Sequence, residues 1–166
     1  MFGLSTKERQ ERAIEALQRG TKAILVGGFF HAENADEYGL NEEASAWLYT
    51  EALAHQVYDL IVIFNNTLAN NHTWATAKFA IKAINGAIAD HELEEGITPG
   101  PVSSFIFKRC AEMDSLTGQE RRDGEHFRQS ARKIAELDPS ADQEVIANRL
   151  STVAEEYFNN AVKMFR

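Results

Sequence analysis

The sequence predicts an all-α protein, a single-domain bundle of about six helices over residues 1–166. Three observations carry this. Apolar residues recur at steps of three and four along most of the chain, Ser/Thr-x-x-Glu/Gln capping boxes mark helix starts, and no alternating strand pattern occurs. A length of 166 residues suits one domain, and 44% apolar with 25% charged residues is an ordinary globular balance.

The first helix opens at Ser5, with Glu8 as its capping-box partner, and turns Ile14, Leu17, Ile24 and Leu25 inward. Gly20 either stops it or lets another helix approach while it continues towards Phe30; a short strand at "AILVGGFF" is a third option. Residues 31–42 lack periodicity and read as a loop. From Glu43 to about Asn65, residues Ala46, Leu53, Val57, Leu60 and Phe64 share one face of a second helix, which the Asn-rich "NNTLANNHT" interrupts. A third helix carries Trp74, Ala77, Ile81, Ile84, Ile88 and His91 at heptad-like steps and ends before Gly96.

"GITPGP" breaks the chain, and Pro101 suits the first turn of a fourth helix with Val102, Phe105, Ile106, Cys110 and Met113 inward. Thr117 and Glu120 form a second capping box, opening a fifth helix on Phe127, Ala131, Ile134 and Leu137 that "DPS" ends. Ser140 and Gln143 form a third box. The sixth helix then runs to the C-terminus on Ile146, Leu150, Val153, Tyr157 and Ala161.

The start of the chain lacks the basic-then-apolar pattern of a secretory signal, and the longest apolar patches fall far short of the roughly 18 residues that span a bilayer. A soluble cytoplasmic chain is expected, with no membrane partner. Cys110 is the single cysteine, which rules out an internal disulfide and any multi-cysteine metal site. No cofactor is expected, because "GTKA" lacks the preceding glycine of a phosphate loop and "GGFF" follows no dinucleotide fingerprint. No serine lies in a Gly-x-Ser-x-Gly elbow.

Charge is unevenly distributed. The net charge is −8, yet Lys and Arg are absent from residues 23–77, where Glu33, Asp36, Glu37, Glu42, Glu43, Glu51 and Asp59 all fall. Extending to residue 107 adds Lys78 and Lys82 but also Asp90, Glu92, Glu94 and Glu95. An acidic face speeds association with a basic partner and repels phosphate backbones, which disfavours nucleic acid. Residues 31–59 and 90–95 are therefore the expected partner surface, through Glu33, Asp36, Glu37, Glu42, Glu43, Glu51, Asp59, Glu92, Glu94 and Glu95.

Two clusters compete with plainer readings. Glu51, His55 and Asp59 recur every four residues on the side of the second helix opposite Leu53, Val57 and Leu60; the stripe is a candidate divalent-metal site, though a solvated face with ordinary pairing explains it better. His91 with Glu94 and Glu95 is a second candidate metal cluster, though a histidine favoured by the carboxyl end of its helix explains it better.

The stretch "ERRDGEHFR" holds Arg121 and His126, with four residues between them. That spacing resembles the Arg-x4–6-His motif of the HEPN-type ribonucleases, small all-α proteins that act as dimers. The resemblance covers two residues and implies an arginine that steadies the scissile phosphate and a histidine that takes part in proton transfer. Here Arg122 follows the arginine where that family usually has a small polar residue. Ordinary helix chemistry accounts for the acids of the same stretch, with Glu120 closing the capping box and Phe127 leading a buried stripe, but not for Arg121 and Arg122 in one turn.

The sequence thus points first to a protein-binding module, for example an immunity- or antitoxin-type inhibitor that covers a basic protein. A HEPN-like ribonuclease is the enzyme alternative, and a self-associating helical protein is the structural one.

Overall fold

The computed structural model describes residues 3–26, 38–94 and 101–165. Seven α-helices and no strand occur among them: α1 Thr6–Val26, α2 Glu42–Phe64, α3 Ala77–Glu94, α4 Pro101–Asp114, α5 Gly118–Arg122, α6 Glu125–Leu137 and α7 Gln143–Ala161. A π-turn, Asn65–Ala69, prolongs α2, and a 3-10 turn, Val162–Met164, follows α7. The expected all-α bundle is the observed one.

The sequence signals act locally as anticipated at several helix starts. Glu8 accepts from the Ser5 backbone N–H at 2.7 Å while Ser5 Oγ accepts from Glu8 N–H at 3.3 Å, and Thr117 and Glu120 close the same reciprocal box at α5. α1 continues through buried Gly20 to Val26, and residues 27–30, the rest of the candidate strand, lie outside the described residues. At α7 the cap is Asp142, whose carboxylate accepts from Glu144 and Val145 N–H; Ser140, expected to fill that role, instead donates to Asp138 at 2.6 Å.

Two further expectations need correction. The fifth helix is not continuous: Gly124, at φ 75°, divides it into α5 and α6. A left-handed residue suits glycine and ends a helix, and the Gly124 N–H closes the turn on the Arg121 carbonyl at 3.1 Å. The inward register of α3 is also displaced. Ala80, Ile84, Ile88 and Glu92 are buried, whereas Ala77 is exposed and Ile81 is 40% exposed. Trp74 precedes the helix and packs edge-on against Phe79, so it does not set the helical phase.

α2 is the axis of the bundle, touching α1, α3, α4, α6 and α7. Its first half shares an apolar cluster with α6 and α7, built on Ala44, Leu48, Ala52, Ala131, Ile134, Ile146 and Leu150. Its second half shares another with α1, α3 and α4, built on Leu53, Val57, Leu60, Phe64, Leu17, Ile84 and Ile106. A helix enclosed in this way buries polar positions on every side, and Glu51, His55 and Gln56 are buried with their apolar neighbours.

Candidate functional site

Glu51 and His55 lie where the two apolar clusters meet, and they are not on a solvated face as the sequence suggested. Glu51 is 0% and His55 2% exposed. Their partners come from two other helices. From α4, Arg109, 1% exposed, donates its Nε–H to both Glu51 oxygens, at 2.9 and 3.1 Å. From α6, Ser130 donates to Glu51 Oε2 at 2.5 Å. Arg109 also pairs with Glu112, which Lys133 meets at 3.2 Å, so two cations face two carboxylates.

Burying charges without partners costs several kcal/mol per ion, and here nearly every donor and acceptor is engaged. Ser130 Oγ also lies 3.2 Å from the His126 carbonyl, a second acceptor for its hydrogen. When the shorter contact, to Glu51, takes the hydroxyl hydrogen, Ser130 Oγ accepts at 2.9 Å from a His55 Nε2 that carries its own. A nucleophilic serine needs the reverse, a bare imidazole nitrogen receiving the hydroxyl proton. With Ser130 donating to Glu51, the trio and Arg109 tie α2, α4 and α6 together.

The candidate metal stripe does not assemble. Glu51 goes to Arg109, His55 goes to Ser130, and Asp59, two turns away and half-buried, has its pKa pushed up to about 7 by burial. No group of three or more His, Cys, Asp or Glu side chains suited to a metal ion occurs among the described residues. Cys110 is buried, its thiol pushed up to about 12 by burial, and Sγ faces the Ala54 carbonyl at 3.7 Å. That thiol is unsuited to nucleophilic chemistry.

Arg121 and His126 are both absorbed by the fold. Arg121 Nη1 donates to the Asp114 carbonyl at 3.0 Å and the Leu116 carbonyl at 2.5 Å, with Met113 at 3.4 Å, so its guanidinium caps the carboxyl end of α4. His126 packs against Phe127, ring centres 3.9 Å apart, and lies 5.4 Å from the His55 ring. Its Nδ1 is buried and has no hydrogen-bond partner among the described residues. Burial, with Arg121, Arg128 and Arg109 nearby, holds the His126 pKa down at about 4. Burial, then His126 and Arg109, hold His55 well below its ordinary value.

The expected partner surface is redistributed. Glu33, Asp36, Glu37 and Glu95 lie outside the described residues. Glu51 and Glu92 are buried and Asp59 is half-buried, which removes them from an open acidic face. Glu94 is exposed and lies 3.6 Å from Lys22. Glu42 and Glu43 are exposed in the first turn of α2, where acids also favour the positive helix end.

Tertiary structure adds acids that the linear charge map missed. The Asn41 backbone N–H donates to Asp138 at 2.7 Å and the Asn41 amide to the Leu137 carbonyl at 2.9 Å, which ties the start of α2 to the α6–α7 turn. Exposed Glu136, Asp142 and Glu144 flank that turn, so they share one end of the bundle with Glu42 and Glu43. None of these five carboxylates enters an ion pair among the described residues. No helix among those residues is long and apolar enough to cross a membrane. Comparison with known protein families, with curated proteins and with solved structures gives no match.

Proposed function

We propose that this chain is a protein-binding module that recognises a basic partner through the acidic end of the bundle, in the manner of an immunity- or antitoxin-type inhibitor. The observation that carries the reading is the set of five exposed carboxylates, Glu42, Glu43, Glu136, Asp142 and Glu144, gathered at one end without a balancing ion pair among the described residues. Uncompensated charge of one sign steers a partner of the other sign and raises its association rate. The ribonuclease alternative has weaker support, since Arg121 spends its guanidinium on carbonyls and His126 is held neutral with Nδ1 enclosed.

The test is capture of a partner from the native cell, followed by association rates at several salt concentrations. A basic partner is expected, with an on-rate that falls steeply between low and physiological salt and falls further in Glu42→Gln/Glu43→Gln/Glu136→Gln. A salt-independent on-rate would overturn the reading, and so would a partner that binds the triple variant equally fast.

A further inference from the structure

The outer face of α3 carries its charges in an order that the helix itself disfavours. Lys78 and Lys82 lie in the first two turns and Asp90 and Glu94 in the last two, all of them exposed. A helix favours acids at its amino end and cations at its carboxyl end, and like charges four residues apart repel, so both the polarity and the spacing cost stability. Little within the chain offsets this. Lys78, Lys82 and Asp90 enter no ion pair among the described residues, and Glu94 meets Lys22 at 3.6 Å in a pair exposed on both sides.

The same face has a glycine at its centre. Lys78, Lys82, Gly86, Asp90 and Glu94 form a single row at steps of four, with Gly86 midway between the two cations and the two acids. Glycine is a poor helix former, and crowding within the chain does not call for it: a Cβ on Gly86 would meet nothing within 4 Å outside its own helix. Exposed Leu93 and half-buried Ala89 flank the row on one side, and half-buried Ala83 flanks it on the other. Ala80, Ile84, Ile88 and Glu92 occupy the opposite, buried face, so the row points away from the core.

What is unfavourable alone becomes complementary against a copy of itself. Helices whose rows at steps of four pack together cross at about −50°, the commonest class in globular proteins, and a two-fold axis makes such a contact isologous. With that axis at Gly86 and the helices antiparallel, each residue before the glycine faces the one equally far after it. Lys82 then faces Asp90 of the second copy, Lys78 faces Glu94, and the two Gly86 backbones meet where a side chain would hold them apart. We propose that the outer face of α3 is the interface of an antiparallel homodimer with its two-fold axis at Gly86. The occupant is a second copy because the row supplies both signs in reversed order, whereas a partner of one sign would be repelled by half of it. The surface is independent of the acidic-end reading, since the two share no residue.

The test is sedimentation equilibrium from about 10 μM to about 1 mM protein in about 0.15 M salt, where a Debye length of about 8 Å screens the net charge of −8 but not contact pairs. Two crossing helices make a small interface, so a dissociation constant between about 10 μM and 1 mM is expected. Lys82→Glu and Asp90→Lys are each expected to weaken the dimer at least about tenfold, and an equal mixture of the two to recover it, because the mixed dimer restores opposite charges at both contacts. Gly86→Leu gains helix propensity and meets nothing in its own chain, so it should keep its helical spectrum and be monomeric. Three results would overturn the proposal: a wild-type protein that is monomeric throughout, a mixture no more associated than either charge variant alone, or a Gly86→Leu variant that dimerises like wild type. If a charge variant fails to fold, the Gly86→Leu result decides.

Discussion

The amino end and the middle of α2 treat the same kind of residue in opposite ways. Glu42 and Glu43 stand exposed at its amino end, without an ion pair among the described residues. Glu51, only two turns further on, is sealed between α4 and α6 with its charge matched by Arg109 and its second oxygen bound by Ser130. Formal charge is a property of the sequence, but what that charge does depends on which helix lies across from it. At the open end it shapes the field that a partner meets; in the middle it holds three helices in register.

The largest expected effect comes from breaking the interior pairing. Arg109→Met leaves Glu51 buried without its cation and should cost about 3–5 kcal/mol, measured by urea unfolding. Adding Glu51→Leu should recover much of that loss, since a matched apolar pair avoids the desolvation of both charges. If the double variant is no more stable than Arg109→Met, the Glu51 charge is not the source of the cost. Ser130→Ala deletes the hydroxyl that binds Glu51 and receives His55, and should cost about 1–3 kcal/mol.

Acidity sharpens the comparison further. His55 and His126 are held neutral in the fold, so they favour the unfolded chain as pH falls below its ordinary histidine value of about 6.5, an effect that for His126 extends to about 4. Asp59 has the opposite sign. Its pKa is raised to about 7, so the fold gains stability as pH drops through 7 towards the ordinary value of 3.8. The two slopes oppose between about pH 4 and 6.5. Asp59→Asn should therefore stabilise the protein at pH 8, by about 1–2 kcal/mol, and make acid unfolding steeper. His126→Gln should make it shallower. Equal pH profiles for wild type and both variants would contradict these environments.

The smallest effect on stability belongs to the open end. Glu42→Gln/Glu43→Gln should change unfolding by no more than about 0.5 kcal/mol in urea, as is usual for exposed positions. A loss above about 2 kcal/mol would place these acids inside a network like that of Glu51.

How much of this was legible follows from the periodicities. The caps at Ser5 and Thr117 and the apolar stripes of α4, α6 and α7 were readable because each depends on residues a few positions apart. The enclosure of α2 was not, since Leu53, Val57 and Leu60 mark one inward face and leave the opposite one looking solvated. A signal did exist: Arg109 lies three residues after Ile106 and four before Met113, on the buried stripe of α4, and an arginine there needs an acid. Ser130 on the Phe127–Ile134 stripe and Glu92 four residues after Ile88 carry the same hint. Which acid answers Arg109 is a matter of tertiary contact, as is the meeting of Glu42 and Glu43 with Glu136, Asp142 and Glu144.

The position of α2 also bears on how the molecule comes apart. Because one uninterrupted helix is shared by both apolar clusters, neither can be lost without uncovering a side of that helix, and the Glu51–Arg109–Ser130 contacts are severed in either case. Two cores on a common spindle behave as one cooperative unit, so unfolding should follow a single transition by every probe. The chain gains unity from the same helix that appeared, in isolation, to have only one side worth burying.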